Sequence, residues 1–513
     1  MFWRGDLSTR VAICHWPSTI FNSCGGIAQL VERQLCKLEV RGSNPLASRP
    51  TGWRQSKTTG KTNGLKYNMD STGSSGSAPS SLSRSRFWLG RFGTFQPRGL
   101  VLFLFFLFFA ALLVSRRLDC VQNPQFWAED GTHFFIDARE HSAWANLATY
   151  SYGYFDLIVR IAHQVAVLGP LEKAPLVLVL FAIVIQAAVP AFVISSRCEG
   201  WMGPFPIRLA AAILYCAMPN SFETHCIALH SRVHLAVLAA LVIVSAPPRS
   251  VSGKLFDVVT LILSGLSGPF VLLLAPVSIW RHWRMRSPAT RRNYLILAAT
   301  WCCAIFALIN SIGSRLGSPL GAGFFEAVRI IGGQLTMGFF LGKTTFQNIV
   351  NQPYLDVAAG LSFIALSILV FLIIRRERWE LRCLLVIGAG AVALALSAPI
   401  GGAPGMTQWH ALWSIPGNGQ RYYFLPMAMM LFALAAVAGR GQGRVWRASA
   451  MALLLLIATM GARVDWILPA FTDFHFDHYI SLYRSIPPGA SMTVPINPPG
   501  WQMELKKPAL DRR

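Results

Sequence analysis

The chain has 513 residues, 46 Lys and Arg against 23 Asp and Glu, 53% hydrophobic side chains and only 13% charged ones, where a soluble domain carries roughly 25% charged. A mean hydropathy of +0.45 over that length excludes a soluble globular enzyme and a disordered chain, leaving an all-α polytopic membrane protein whose apolar runs recur at bilayer-crossing length. The formal charge of +23 is no nucleic-acid footprint, because the basic residues sit in an N-terminal stretch and in short loops between apolar runs.

Residues 1–98 hold 14 basic and 4 acidic side chains and no sustained period of 2 or 3.6. The stretch "STGSSGSAPSSLSRS" cannot bury enough apolar surface to offset its ordering entropy, so this region is expected to be a disordered basic tail. The string "GGIAQLVERQLCKLEVRGSNP" (25–45) resembles a peptide that recurs when a transfer-RNA locus is translated as though it coded for protein, which would place the true start at Met69. No small-residue cleavage site follows the first long apolar run, so a cleavable signal peptide is not expected.

Apolar runs then follow at 99–115, 175–196, 207–219, 227–246, 255–267, 269–280, 293–312, 355–374, 383–400, 421–438 and 447–464. That makes about eleven crossings, with Gly268-Pro269 splitting a hairpin of shorter ones. Five connecting loops (197–208, 247–254, 281–292, 375–382, 440–447) carry 16 Lys and Arg in 48 residues, against 14 in the 178 residues of the loops on the other side. The positive-inside bias puts the first set in the cytoplasm, with the N-terminus inside and the tail 465–513 outside, in a plasma membrane of bacterial type. The segment 324–342 ("FFEAVRIIGGQLTMGFFLG") does not fit that count as a simple crossing, so a re-entrant or interfacial helix interrupted at Gly332-Gly333 is expected. The stretch 154–168 ("YFDLIVRIAHQVAVL") carries Asp156, Arg160 and His163 along an apolar run, and is expected as an amphipathic helix on the outer surface. The ten cysteines show no CxxC and no disulfide or zinc spacing, and are read as small apolar fillers.

The first outer loop, 116–174, holds seven acidic residues and five basic ones, centred on "PQFWAEDGTHFF". Glu129 and Asp130 stand side by side among Trp127, Phe134 and Phe135, with Gly131 expected to permit a tight turn. Partial desolvation at a membrane boundary raises a carboxyl pKa, and such a group can act as general base toward an acceptor hydroxyl. The pair could instead hold a divalent cation through oxygen, or form no more than a solvated turn capping a helix.

A first crossing, a large outer loop opening on an acidic motif and bearing amphipathic helices, then many short-looped crossings resemble the GT-C-type glycosyltransferases. The strings "FWAEDG", "YGYFDLIVRIA", "LSGPFVLLLAP" and "QRYYFLP" look like a bacterial group of multi-pass proteins often placed near that superfamily. The resemblance covers 99–464 in architecture and much less in motif. It implies a polyprenyl-phosphate-linked sugar as donor, with the acidic base or metal-ligand role falling on Glu129 or Asp130. The large soluble C-terminal domain usual in that superfamily is absent, which leaves acceptor recognition open.

A lipid-phosphate donor needs cations at the outer face, where charge is costly to place. Arg421, beside Tyr422, opens a crossing after a loop without Lys or Arg and suits a phosphate oxygen; its other reading is an interfacial anchor. In "NSFETHCIALHSRVH" (220–234), His230 and His234 are four apart and share a helix face, whereas Arg232 points elsewhere. The two histidines would be a metal pair, a polar cavity wall or plain interhelical hydrogen bonds. Arg329 and Arg160 complete the substrate-binding candidates, each also readable as snorkelling to headgroups. The tail "SMTVPINPPGWQMELKK" reads as packing on the outer face. Absence of GxxxxGK[ST], HExxH and GxSxG leaves ATP-driven transport, zincin proteolysis and a hydrolase elbow without support. Two functions remain: a glycosyltransferase, and a carrier or flippase of a lipid-linked saccharide with broken helices around a central cavity.

Overall fold

A computed structural model describes residues 95–311, 319–399, 405–415 and 417–509. The readings made on residues 1–94, a disordered basic tail and a start at Met69, lie outside the described residues. Every expected apolar run forms a helix. In chain order the long ones are α1 (Leu100–Arg116), α2 (Leu157–Ala166), α3 (Ala174–Ile194), α4 (Phe205–Cys216), α5 (Ser231–Val244), α6 (Val251–Gly265), α7 (Val271–Met285), α8 (Pro288–Asn310), α9 (Phe324–Leu341), α10 (Leu355–Arg376), α11 (Trp379–Ser397), α12 (Gln420–Arg440) and α13 (Arg444–Ala462). Among the described residues seven helices are long and apolar enough to cross a membrane: the one ending at Ile194, α8, α9, α10, α11, α12 and α13. The protein is an all-α polytopic membrane protein.

Helices apolar on every side have two destinations, the protein centre or lipid. Here α12 takes the first, with 83% of its apolar window buried, and α10 the second, with 11%. α5 is buried along nearly its whole length and packs beside α12, the two forming the axis of the main core. Helix C-termini leave carbonyls without intrahelical donors, and buried arginines supply them. Arg116 donates to the carbonyls of Cys216 at 2.9 Å, Met218 at 3.1 Å, Asp465 at 2.9 Å and Trp466 at 3.2 Å, tying the ends of α4 and α13 to α1.

Two expectations are corrected. α9 is one continuous helix with a π-helical stretch Arg329–Met337, not a segment broken at Gly332-Gly333. The glycines serve close packing: a Cβ on Gly332 would collide with the Ala359 backbone and one on Gly333 with the Phe346 ring. α9 touches Asp356 at the start of α10, Asn220 after α4 and Gly461 at the end of α13. α2 is not a surface helix, because Arg160 and His163 are both fully buried on it. The polar residues of this amphipathic run point inward, toward other polar groups of the same loop.

Within the 116–174 loop a short hairpin, β1 (Tyr150–Ser151) and β2 (Tyr154–Phe155), precedes α2. In the tail, β3 (Ser491–Ile496) and β4 (Trp501–Lys506) pair antiparallel, with Val494 opposite Met503. This hairpin packs its buried side (Val494, Ile496, Met503, Leu505) on Phe126, Phe135 and Phe476, giving the acidic loop a small apolar core of its own.

Candidate functional site

The acidic motif is held from below by the tail. Asn497 N donates to the Phe126 carbonyl at 3.1 Å, and Ala128 N donates to the Asn497 carbonyl at 2.5 Å. The sharp change of direction falls on Ala128, at φ 41°, and not on Gly131. Gly131 instead lies in a π-helical turn, Asp130–Phe135, where a Cβ would press into the Ile496 side chain. The turn sends the two adjacent carboxylates to different places.

Asp130 goes inward. It is 3% exposed, and its Oδ2 accepts from Leu229 N at 3.3 Å while Oδ1 lies 3.3 Å from His163 Nε2. His163 Nδ1 faces the Val159 carbonyl at 2.8 Å, so both ring nitrogens look at oxygen atoms. Asp130 thus ties the acidic turn to α2 and to the lead-in of α5.

Glu129 is half-buried and faces another set. Arg232, Arg421 and Tyr152 are all its electrostatic neighbours, and among the described residues no ion pair engages its carboxylate. Arg232, near the start of α5, places Nη1 2.6 Å from Asp156 Oδ1 and its guanidinium 5.2 Å from the centre of the Tyr154 ring. Asp156 is held in place by pairing around it with the α6–α7 turn: Leu157 N to Leu266 O at 3.0 Å, Ile158 N to Ser267 Oγ at 2.9 Å, and Gly268 N to Phe155 O at 2.7 Å. Gly268 has φ +85°, and a Cβ there would sit 3.3 Å from Arg232 Cδ. Burial pushes the Asp156 carboxyl up from its ordinary range, and the Arg232 charge opposes that. Burial, reinforced by Glu129 and Asp156, likewise raises the Tyr152 hydroxyl.

Arg421, at the start of α12, is paired with Glu223, whose Oε2 also accepts from Arg421 N at 3.2 Å. Its guanidinium lies 4.7 Å from the centre of the Tyr422 ring. Behind it runs a buried chain: Glu223 N donates to Gln420 Oε1 at 3.0 Å, Gln420 Nε2 to Asn220 Oδ1 at 2.7 Å, and Asn220 N to Asp465 Oδ2 at 2.9 Å. Asp465 in turn accepts from the backbone of Lys343 at 2.6 Å and of Thr344 at 3.3 Å. This chain locks the entrances of α12 and the end of α13 together, so the position of Arg421 is set by packing.

Glu129 therefore lies in electrostatic range of Arg232, Arg421 and Tyr152, with Tyr154 against the first guanidinium and Tyr422 against the second. Arg232 and Arg421 keep 13% and 24% of their side-chain surface exposed. A guanidinium has five N–H donors, so a carboxylate partner does not prevent either from also binding an anionic oxygen.

The other candidates are elsewhere. Arg160 is fully buried and donates to Asn146 at 2.6 Å, Ser151 at 2.9 Å and Asp137 at 3.0 Å; it organises the loop instead of facing a ligand. Arg329 is gripped by Asp356 at 2.6 and 2.9 Å and by Glu326 at 3.2 Å, over the Trp413 ring, a separate cluster. His230 and His234 do not make a metal pair. His230 closes a 3-10 turn ahead of α5, and His234 has both nitrogens engaged, with Tyr215 Oη at 2.6 Å and the Thr224 carbonyl at 2.9 Å.

A divalent cation between Glu129 and Asp130 does not fit either. Asp130 has both oxygens directed at His163 and Leu229, and among the described residues no three His, Cys, Asp or Glu side chains gather as a ligand set. Sequence reasoning missed Asp156, Glu223 and Tyr154 as site residues. Asp156 and Glu223 had one legible signal, that a carboxylate in or beside an apolar run needs a partner, but sequence distance does not say which cation supplies it.

No protein-family model matches the chain, and no curated protein matches it. Among solved structures it is similar to an oligosaccharyltransferase of Archaeoglobus fulgidus, crystallised tethered to an acceptor peptide containing the NVT sequon via a disulfide bond. Identity is 14%, the match covers 75% of this chain and 57% of that one, and the TM-score is 0.38. The protein is a polytopic α-helical membrane protein.

Proposed function

We propose that the protein is a membrane glycosyltransferase of the GT-C kind, with a polyprenyl-phosphate sugar as donor and a hydroxyl on the extracytoplasmic side as acceptor. The observation that carries this reading is that Glu129 is an electrostatic neighbour of both Arg232 and Arg421 while the adjacent Asp130 is turned away. The donor phosphate lies against Arg232 and Arg421, whose positive charge stabilises the oxyanion that departs. Glu129 accepts the acceptor's hydroxyl proton as its oxygen bonds the anomeric carbon and the phosphate leaves from the opposite face, so configuration inverts. Asp156 and Glu223 orient the two guanidinium groups. Tyr154 and Tyr422 offer ring faces for the sugar.

Purified protein supplied with polyprenyl-phosphate sugars and an acceptor extract tests this. Glu129→Gln should abolish most transfer, while Arg421→Lys should weaken donor use more than it harms folding. Full transfer by Glu129→Gln ends the proposal. Movement of the lipid-linked sugar across proteoliposomes without product would favour the carrier reading instead.

A further inference from the structure

Two thiols meet beside the site. Cys120, in the short helix Asp119–Gln122, and Cys226, in the turn leading to α5, are each 1% exposed and share one small apolar cluster with Val179 and Ile183. The two thiols are neighbours of one another within that cluster. Cys226 has φ 56°, a left-handed conformation that a non-glycine residue keeps only where its surroundings hold it. Arg117 is an electrostatic neighbour of both sulfurs. Cys226, with Arg117 helping, lowers the Cys120 thiol pKa, and Cys120 together with burial raises that of Cys226. Two thiols packed in one cluster have the proximity that exchange with a single external disulfide requires. Both residues belong to loops that the charge bias places outside the cytoplasm, where thiol pairs are oxidised.

We infer that Cys120 and Cys226 close into a disulfide that staples the root of the acidic loop to the segment leading into α5. The oxidant is a protein disulfide of the extracytoplasmic compartment. Cys120 thiolate attacks one sulfur of that disulfide, forming a mixed disulfide and releasing one partner thiolate. Cys226, after losing its proton, attacks the Cys120 sulfur and releases the second partner thiol. Two thiols thus lose two electrons and two protons, and the partner disulfide becomes a dithiol. The bond would hold the turn carrying Glu129 and the helix carrying Arg232 to one frame, yet the inference does not rest on the transfer reaction.

The test counts thiols on the full chain. Cells expressing the protein are quenched in acid, and the protein is denatured and treated with polyethylene-glycol maleimide, with and without prior reduction. Wild type should gain two adducts on reduction, and Cys120→Ser and Cys226→Ser should gain none. Mass spectrometry of unreduced wild-type peptides, which needs no variant to fold, should find the 120-containing peptide joined to the 226-containing one. Equal adduct counts before and after reduction, a gain that persists in either variant, or linkage of either cysteine to a different partner would overturn the inference.

Discussion

Arginines serve this helical bundle in two ways, seen in a pair of them from each end. At the basic-loop end Arg208 donates to the carbonyls of Ile194, Ser195 and Gly203, and Arg281 to those of Val242 and Ser245. These guanidinium groups are 0% and 5% exposed and finish helix C-termini, where a cation also meets the negative end of the helix dipole. At the acidic-loop end Arg232 and Arg421 face carboxylates, Asp156 and Glu223, and keep part of their surface open. Donors spent on backbone carbonyls hold a fold. Donors balanced by an acid beside an opening remain able to meet an anion.

The sharpest way to break that contrast is Glu129→Gln. A drop in transfer of roughly 10²–10⁴ is expected from loss of the base, with unchanged yield and melting, measured as product formed per folded molecule. Next in size is Arg232→Met, which strands the fully buried Asp156 and should cost about 3–5 kcal/mol of stability together with transfer. Adding Asp156→Leu to it should restore most of the stability, read by thermal melting in detergent, while transfer stays lost. Recovery of transfer by the double variant would show that the pair is scaffold only.

Arg208→Met probes the other end. Leaving buried carbonyls without a donor should cost about 1–3 kcal/mol, and activity per folded molecule should stay at the wild-type level. A large catalytic loss there would erase the distinction between the ends. Smallest is Gly268→Ala, where the positive φ should cost about 1–2 kcal/mol. The added Cβ against Arg232 should raise KM for the lipid-linked donor more than it lowers kcat.

Hydropathy made the architecture legible. In lipid every backbone amide must be satisfied within its own segment, so a crossing announces itself as a local apolar run. Of the two helices whose roles were misjudged, α9 carries two glycines that look like a break in one dimension and are a packing surface in three. The candidate site was legible only in part. "AEDG", Arg232 and Arg421 stand out by residue type, but Asp130 and Glu129 are indistinguishable on paper, and the histidines 230 and 234 looked paired until one proved to precede the helix.

From the sequence alone came a multi-spanning helical protein, its basic and acidic loop sets, and a short roster of charged residues too costly to be incidental. These follow from local composition, because transfer of a segment into lipid depends on that segment's own side chains. Which acid of the pair turns toward the arginines, which arginines stay partly open and which acids hold them were decided only in the tertiary structure. Each is a matter of direction among residues up to some two hundred positions apart, as for Glu223 and Arg421, and the alternatives differ by who is desolvated beside whom, a quantity no single segment carries.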